Sequence, residues 1–420
     1  MTRARGLRAL GLAAAALLAL AVSGCGGGGG GSSAPPAPSA PPLVGANQLL
    51  VTIENNPAVT AVAPTVATVN IPYVTVTVCN ASAQCTSIDH VVLDTGSYGL
   101  RLLQSALGGL SLPADSTGAG DALGECARFL GGYIWGSVAH ATLRLAGETT
   151  ASLPVQVIAP SGFPAAPSTC ASLGTDVGTL TGLQGNGLLG VGHFVHDSGS
   201  YYACTASGCT ELQPQPATDS SVRVSNPVPF LQSGDNNGVV LQMPAVPSGG
   251  AGITYGTLSL GVGTQSDNDV TGFSVIPADA GGNLTVSMSL NGSTYSYPGS
   301  FLDSGSNFYF APLSGVVPVD SSGHFVPPTP LDLPITLSAS AGAAYAASLG
   351  THMLIGNYAA MDFSQYVAFD NIGVANGAPT PVTPGTIFDL GMPYFYGRSV
   401  AYVINNMSSP LGSGPLYAIH

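Results

Sequence analysis

The stretch VVLDTGS at residues 91–97 returns in altered form as SFLDSGS at residues 300–306, with its aspartate 209 positions further along the chain. Each copy is an apolar run, typical of a strand end, that leads into Asp-[Ser/Thr]-Gly-Ser. Two carboxylates that are brought together cannot both ionise at low cost, so such a pair holds one proton and can act as acid and base at once. The repeat therefore makes Asp94 and Asp303 candidate catalytic residues of a two-lobed hydrolase.

A second repeated feature follows each copy. The segments GLLGVG at residues 187–192 and FDLGMP at residues 388–393 each place a glycine, Gly190 or Gly391, behind apolar residues. These glycines follow the two aspartates by 96 and 88 residues. Two units with the same order of parts predict two similar lobes, at residues 47–238 and 239–420, with the join near residues 226–246.

A third Asp-Ser-Gly-Ser stands at residues 197–200 but lacks this setting. Because no clean apolar strand precedes it, we predict that Asp197 belongs to a polar turn. His193 and His196 have no acidic or third histidine neighbour in a metal-binding pattern, so we predict that both are polar loop residues. These residues are left outside the candidate site.

Most of the chain consists of short β-type runs separated by Gly, Pro, Asn and Ser, which predicts an all-β architecture with few short helices. The clearest predicted strands lie at residues 73–78, 88–93, 141–145, 154–158, 238–242, 284–290 and 400–404. The better helix candidates are residues 100–107 and 341–349.

The N-terminus has the features of a targeting segment, which we place at residues 1–24. Three arginines precede an apolar stretch that is too short to span a membrane stably. The following VSGC resembles a bacterial lipobox, in which Cys25 would be lipidated; the alternative is an ordinary cleavable signal with Cys25 as a bystander. Residues 25–46 then form a Gly/Ser/Pro tether. We expect an exported bacterial lipoprotein anchored in the outer membrane, on its periplasmic or surface face.

Charge and cysteine content narrow the function further. The chain has no lysine, and past residue 24 five arginines stand against 21 acidic residues, a formal net charge of −16. Clustered basic residues are missing, so nucleic-acid binding is excluded. Six cysteines remain after Cys25, and an exported chain should pair them. Proximity favours pairing Cys79 with Cys85 and Cys204 with Cys209, which leaves Cys126 for Cys170, although fifteen pairings are open.

At this point the chain resembles the pepsin-like aspartic peptidases over residues 68–408, and most closely a bacterial family of exported lipoproteins with no established function. The resemblance implies a bilobal acid-protease fold with a central cleft. It also implies that Asp94 and Asp303 form the catalytic dyad. The residues it would assign to support of the dyad are Thr95, Gly96, Ser97, Ser304, Gly305 and Ser306. Segments 127–129 and 135–138 resemble the hairpin flap that closes over the substrate.

Four departures from the family pattern concern the flap and the dyad's surroundings. Arg101 stands where the family has a tryptophan, and Phe129 or Tyr133 takes the place of the flap tyrosine. Trp135 is either flap packing or a substrate-facing aromatic residue, and residues 130–133 look like an insertion. Asp389 occupies a normally apolar place, so it must be neutral, paired or exposed.

The sequence thus predicts an aspartic endopeptidase that holds a water between Asp94 and Asp303. The reaction needs no metal and no organic cofactor, and we expect a monomer that acts on a peptide or protein substrate. The principal alternative is a catalytically inactive pepsin-like module that binds a peptide or an envelope polymer. A purely structural surface lipoprotein is the third option. The sequence has no Gly-x-Ser-x-Gly elbow, no Gly-x-Gly-x-x-Gly after a predicted strand and no P-loop.

Overall fold

The computed structural model describes residues 40–217, 221–290, 292–377 and 387–420. The predicted signal peptide, Cys25 and the tether up to residue 39 lie outside the described residues, and the predictions made for them stay predictions. Within the described parts, the α-helices are short: α1 (Pro57–Val62), α2 (Ser168–Ala171) and α3 (Leu180–Leu183). In those same parts, no helix is long and apolar enough to span a membrane.

Strands make up most of the remaining regular structure, which confirms the all-β prediction. The strands of the first half are β1 (Gln48–Ile53), β2 (Pro72–Cys79), β3 (Cys85–Asp94), β4 (Tyr98–Leu103), β5 (Ala122–Phe129), β6 (Gly132–Leu145), β7 (Glu148–Ile158), β8 (Thr175–Asp176), β9 (Gly187–Val191), β10 (Ser200–Thr205) and β11 (Gly208–Glu211).

The second half of the chain also consists mainly of strands. Its strands are β12 (Gly238–Met243), β13 (Thr254–Leu260), β14 (Ser274–Pro277), β15 (Leu284–Leu290), β16 (Ser293–Leu302), β17 (Tyr309–Ala311), β18 (Leu331–Ala339), β19 (Ser348–Ile355), β20 (Gly373–Ala375), β21 (Asp389–Leu390), β22 (Arg398–Val403), β23 (Ser408–Ser409), β24 (Gly412–Ser413) and β25 (Leu416–Ile419). Short 3₁₀ turns lie at Gln104–Leu107, Val228–Phe230, Tyr358–Ala360 and Met392–Tyr394.

One large sheet contains strands from both halves of the described chain. It runs in the order β11-β10-β5-β6-β7-β4-β9-β3-β2-β1-β13-β12-β22-β25-β14. The first half joins the second where β1 pairs antiparallel with β13, from Gln48 opposite Ser259 to Ile53 opposite Thr254. The inward side chains of β1 alternate with half-buried ones, as expected for a strand with one face on the core. The predicted lobe boundary at residues 238 and 239 stays a prediction.

A smaller sheet belongs entirely to the second half, in the order β19-β18-β15-β16-β21-β17-β20. Its β15–β16 hairpin leads the chain into the loop that carries Asp303. A continuous apolar core lies under both sheets and includes Leu93 and Leu189 from the first half with Leu302 and Leu390 from the second. The strand ends that precede both aspartates are therefore anchored in the same core.

Both helix candidates are wrong. Residues 100–103 lie in β4, which pairs with β9 and β7, so only the Gln104–Leu107 turn is helical. Residues 341–347 form turns before β19, whose antiparallel partner is β18. In both places a short apolar pattern fits a helix as well as a strand, and long-range strand pairing determines the outcome.

The cysteine prediction is confirmed for the three disulfides, Cys79–Cys85, Cys126–Cys170 and Cys204–Cys209. Two of these close short turns between antiparallel neighbours, β2 with β3 and β10 with β11. The third joins β5 to α2. All three lie in the first half of the chain.

Candidate active site

Two equivalent loops hold Asp94 and Asp303. β3 ends at Asp94 and pairs in parallel with β9, so that Asp94 lies opposite Gly190. β16 ends just before Asp303 and pairs in parallel with β21, and the Asp303 backbone N–H donates to the Leu390 carbonyl at 3.1 Å. The two halves therefore repeat the order of strand, aspartate loop and parallel crossing strand, as the repeated motifs predict.

The glycine in each loop lies against the opposite carboxyl group. A Cβ added at Gly96 would stand 2.6 Å from Asp303 Cγ, and one added at Gly305 would stand 2.7 Å from Asp94 Cγ. Real side chains do not tolerate such contacts, so only glycine allows the loops to approach this closely. The two carboxyl groups consequently lie side by side, close enough for a hydrogen bond between them to act on Asp303.

Each carboxyl group also receives two hydrogen bonds from its own loop. Gly96 N–H donates to Asp94 Oδ1 at 2.8 Å, and Ser97 Oγ donates to Asp94 Oδ2 at 2.5 Å. In the second loop, Gly305 N–H lies 2.8 Å from Asp303 Oδ1, and Ser306 Oγ lies 2.9 Å from Asp303 Oδ2. The same atoms of the two loops perform the same tasks, so the geometry of the pair is close to two-fold symmetric.

Thr95 and Ser304 connect the loops to each other. Thr95 N–H donates to Ser304 Oγ at 3.1 Å, and Ser304 N–H donates to Thr95 Oγ1 at 2.9 Å. The hydroxyl protons then go to different kinds of acceptor. Ser304 donates directly to the Leu93 carbonyl at 2.8 Å, whereas Thr95 donates to the Tyr402 hydroxyl at 3.0 Å.

Tyr402 connects Thr95 of the first loop to the backbone that leads into the second loop. Its hydroxyl lies in β22, is fully buried, and donates to the Leu302 carbonyl at 3.1 Å. Tyr402 therefore stands between Thr95 and the backbone that leads into Asp303. The sequence predicts only a strand at residues 400–404 here, because nothing local reveals a partner 307 residues away.

The surroundings of the pair favour retention of a proton. The pKa of Asp303 is raised well above its ordinary value, mainly by burial and then by the nearby charges of Asp94 and Asp389. Asp94 is itself buried. Burial and like charge both penalise a doubly ionised pair, so one shared proton is the stable state over a wide pH range.

A third carboxyl group, Asp389, lies next to this pair. Asp389 is fully buried, and its Oδ2 lies 2.5 Å from Ser306 Oγ. Burial raises its pKa to about 8, with a further contribution from the Asp94 charge, while the Ser306 contact opposes the shift. In the first loop the corresponding place belongs to Leu188, since Leu188 pairs with Val92 as Asp389 pairs with Phe301. The sequence requires Asp389 to be neutral, paired or exposed. In the structure its raised pKa favours the neutral form and Ser306 is its hydrogen-bond partner.

The carboxyl groups open onto a cleft of about 970 Å³. The β5–β6 hairpin forms the flap on one side of it, with Phe129 and Leu130 at its tip. Phe129 lines the cleft as predicted from its position. Leu130 is 72% exposed, so a large apolar side chain faces solvent at the place where a ligand would enter.

Tyr133 and Trp135 are not among the residues that line the cleft, so of the two roles left open for Trp135 its position agrees with flap packing. Both are buried in a separate cluster with Tyr202 and the Cys126–Cys170 disulfide. Trp135 Nε1 donates to the Pro164 carbonyl at 2.8 Å, and its ring meets that of Tyr202 edge to face at 5.3 Å. Side chains alternate along β6, so these two odd-numbered residues share the face away from the cleft, and they stabilise the flap from behind.

Arg101 forms the centre of a buried ionic cluster beside the cleft. Its Nη2 lies 2.7 Å from Glu125 Oε1 and 2.7 Å from Asp197 Oδ2, and its Nη1 donates to the Tyr98 carbonyl at 2.7 Å. Tyr201 adds a hydroxyl donor to Asp197 Oδ1 at 2.6 Å. The prediction of a polar turn at Asp197 is therefore wrong, because this carboxylate is buried and shares the pairing of Arg101 with Glu125.

His193 is also misassigned as a polar loop residue. It is buried, Nδ1–H donates to the Val403 carbonyl at 3.1 Å, and its ring meets the Tyr417 ring edge to face at 4.4 Å. Burial lowers its pKa to about 4, so it is neutral at neutral pH. His196 is half-buried and its Nδ1 lies 2.9 Å from Ser225 Oγ. In the part of the chain that the structure describes, no group of three or more His, Cys, Asp or Glu is arranged to hold a metal ion.

Comparisons with known proteins give one family match. The family model described as "Protein of unknown function (DUF3443)" matches residues 44–419. No curated protein matches the chain. Among solved structures, an aspartic proteinase from Irpex lacteus is similar at 11% sequence identity and a TM-score of 0.48, over 89% of this chain and 96% of that one.

Proposed function

The chain belongs to the DUF3443 family, whose function is unknown, and from the geometry of its own site we propose that it is an aspartic endopeptidase. The observation that supports this most directly is the contact of each loop's glycine with the opposite carboxyl group. That contact brings Asp94 and Asp303 together in a cleft, in surroundings that favour a single shared proton. A pair in this state can accept a proton and donate one in the same reaction.

In the proposed reaction, the pair holds a water molecule between its carboxyl groups. The ionised carboxylate takes a proton from the water as the water oxygen forms a bond with the peptide carbonyl carbon. The protonated carboxyl gives its proton to the carbonyl oxygen. The resulting diol collapses as the C–N bond breaks: the leaving nitrogen takes up a proton from the pair, and one diol hydroxyl returns its proton to the pair, which again holds one proton. The pKa values belong to the pair as a whole, so neither aspartate is assigned one role.

The substrate in this proposal is an extended peptide or protein segment that lies in the cleft beneath the flap. Phe129 and Leu130 would cover it from the flap side. We further propose that the protein acts as a monomer and is anchored in the bacterial envelope through a lipid on Cys25. The three disulfides agree with an oxidising, exported location.

The first test is peptide cleavage by Asp94→Asn and Asp303→Asn. Both variants keep the shape of the side chain but remove the shared proton chemistry, so each should lower kcat/KM by roughly 10²–10⁴-fold. Cleavage of a diverse peptide library, followed by mass spectrometry across acidic to neutral pH, measures the loss. Asp332→Asn, at an exposed aspartate in β18, is the matched control and should cleave normally.

A catalytically inactive binding module is the second candidate, and the flap favours it. The flap tip presents the apolar side chains of Phe129 and Leu130 rather than a hydroxyl group that could assist catalysis. If peptides bind the wild-type cleft without cleavage at any pH, and binding is weakened by Leu130→Ser, then the binding module replaces the peptidase.

A further inference from the structure

Ser306 is in contact with two carboxyl groups but has one proton to donate. Its Oγ lies 2.9 Å from Asp303 Oδ2 and 2.5 Å from Asp389 Oδ2. A serine hydroxyl donates one hydrogen bond and accepts others. If both carboxyl groups were ionised, one of these short contacts would join two acceptors with no hydrogen between them. One carboxyl group must therefore supply a proton to Ser306.

Asp389 is the carboxyl group better suited to carry that proton. It is fully buried, and in the described residues no arginine or histidine pairs with it and its Oδ1 has no hydrogen-bond partner. Asp303, in contrast, accepts from Gly305 N–H at 2.8 Å, which stabilises its ionised form. An ionised Asp389 would be a buried charge with a single hydroxyl partner, which is costly.

The titratable groups around Asp389 come from each element packed against it. Asp94 lies at the end of β3 and Asp303 directly after β16, while β16 and β17 contribute Tyr297 and Tyr309. Of these, Asp94 acts on Asp389 through its charge, and Asp389 acts on Asp303 in the same way. Arg398 acts on Tyr309 and Asp370 instead. The charges that reach Asp389 are thus negative, and they too favour its neutral form.

We propose that Asp389 is a proton-holding positioning residue that supplies the Asp94–Asp303 pair through Ser306. In the resting state the Asp389 carboxyl donates to Ser306 Oγ, and Ser306 donates to Asp303 Oδ2. When Asp303 needs a proton, the Ser306 hydrogen moves to Asp303 Oδ2 and the Asp389 hydrogen moves to Ser306. Asp303 ends protonated, Asp389 ionised and Ser306 unchanged, so no outside proton is needed. The role in catalysis rests on the proposed peptidase function.

This arrangement should extend activity toward higher pH. In the wild-type chain, loss of the last shared proton leaves three carboxylates close together, and their mutual repulsion delays that loss. Asp389→Asn and Asp389→Leu remove one of the three charges, so the alkaline limb of the kcat/KM profile should move to lower pH in both. The asparagine amide can still donate to Ser306, whereas leucine, the residue at the equivalent place in the first loop, cannot. Neither variant can transfer a proton to Ser306, so both should lose kcat at the acidic optimum, and Asp389→Leu, which also loses the hydrogen bond, should lose about tenfold more than Asp389→Asn.

The deciding experiment does not need activity. Protein that carries ¹³C in its aspartate side-chain carboxyls is titrated in an infrared spectrometer, which separates protonated from ionised carboxyl groups. The expected result is an aspartic acid band that persists at neutral pH, titrates around pH 8, and is missing in Asp389→Asn. Asp370→Asn, which removes another aspartate with a raised pKa, should leave that band in place.

Two outcomes would overturn the proposal. One is an Asp389→Asn spectrum that keeps the wild-type band; the other is a wild-type alkaline limb that neither Asp389 variant moves. Circular dichroism confirms that each variant is folded. If the chain cleaves no peptide at all, the infrared titration still decides whether Asp389 holds the proton, so failure of this inference and failure of the peptidase function remain distinguishable.

Discussion

Tyr402 makes the two aspartate loops different from each other. On one side Ser304 donates straight to the Leu93 carbonyl, and on the other the Tyr402 hydroxyl is inserted between Thr95 and the Leu302 carbonyl. A loop-to-loop link built through a buried tyrosine depends on an exact hydroxyl position. The side chain that fixes this position comes from β22, near the end of the chain.

Removal of the Tyr402 hydroxyl should lower both the stability of the fold and kcat. Tyr402→Phe leaves the Leu302 carbonyl and the Thr95 hydroxyl without their buried partner, which should cost about 1–3 kcal/mol of stability. The loops should also be held less firmly, so kcat should fall by about tenfold while KM changes little. Chemical denaturation and peptide kinetics measure the two effects.

Tyr417→Phe is the matched control for Tyr402→Phe. The Tyr417 hydroxyl is also buried and lies near the Leu302 backbone, but it donates to the Gly282 carbonyl at 2.6 Å rather than bonding to Thr95. It should lose comparable stability and keep its kcat. Equal losses of kcat in the two variants would mean that Tyr402 acts on the fold in general rather than on the loops.

At the scale of elements, the flap is the place where a substitution should affect cleavage without affecting stability. Leu130 lies at the turn between β5 and β6 and is largely exposed, so it contributes little to the folded core. Leu130→Ser should therefore leave stability unchanged. It should lower kcat/KM for extended peptides by about tenfold, because a buried leucine contact with substrate contributes roughly 1.5–3 kcal/mol.

The control for the flap is Val62→Ser. Val62 ends α1, is 64% exposed and does not line the cleft. Its replacement should change neither stability nor cleavage. Should Leu130→Ser cleave extended and short peptides as the wild type does, the β5–β6 hairpin would not be a substrate-covering flap.

The individual strands, loops and helices also show how much of the fold and of the site could be predicted from the sequence. Repeated motifs predicted the strands that lead to Asp94 and Asp303, because a strand end and a glycine turn are local features. Spacing predicted two of the disulfides, since short loops bring cysteines together, and the Cys126–Cys170 pair is what remained. In contrast, the helix assigned to residues 100–107 failed because β4 is defined by its distant partners β9 and β7. Asp197 and Arg101 both stand out in the sequence, but nothing in the local sequence indicates that they form an ion pair.

At the scale of the whole molecule, several buried carboxyl groups make stability depend on pH. Burial is the first cause that raises the pKa of Asp303, Asp389 and Glu125, and it raises that of Glu148 to about 7. His193, with its lowered pKa, acts in the opposite direction below about pH 6.5, but the four raised carboxyl groups outnumber it, so the folded chain binds more protons than the unfolded chain between about pH 4 and about pH 8. Under that condition, stability must fall as pH rises.

We accordingly expect the free energy of unfolding to be greater at pH 5 than at pH 8, by about 2 kcal/mol or more. Chemical denaturation at a series of pH values gives the slope directly. Asp389→Asn should flatten it, because the variant has no ionisable group at a site whose pKa is raised to about 8. A stability that stays constant or increases toward pH 8 would contradict the assignment of these carboxyl groups as neutral in the fold.

The position of Tyr402 has a consequence for how the protein is made. The chain emerges from the ribosome with its N-terminal end leading, so Asp94 and Asp303 are both synthesised before β22. Thr95 has no hydroxyl partner on that side until residue 402 is in place. A chain that ends before β22 thus lacks the hydrogen bonds through which Tyr402 connects the two aspartate loops. Under the proposed peptidase function, full hydrolytic activity would be reached only after residue 402 has been added, which limits digestion of the unfinished polypeptide.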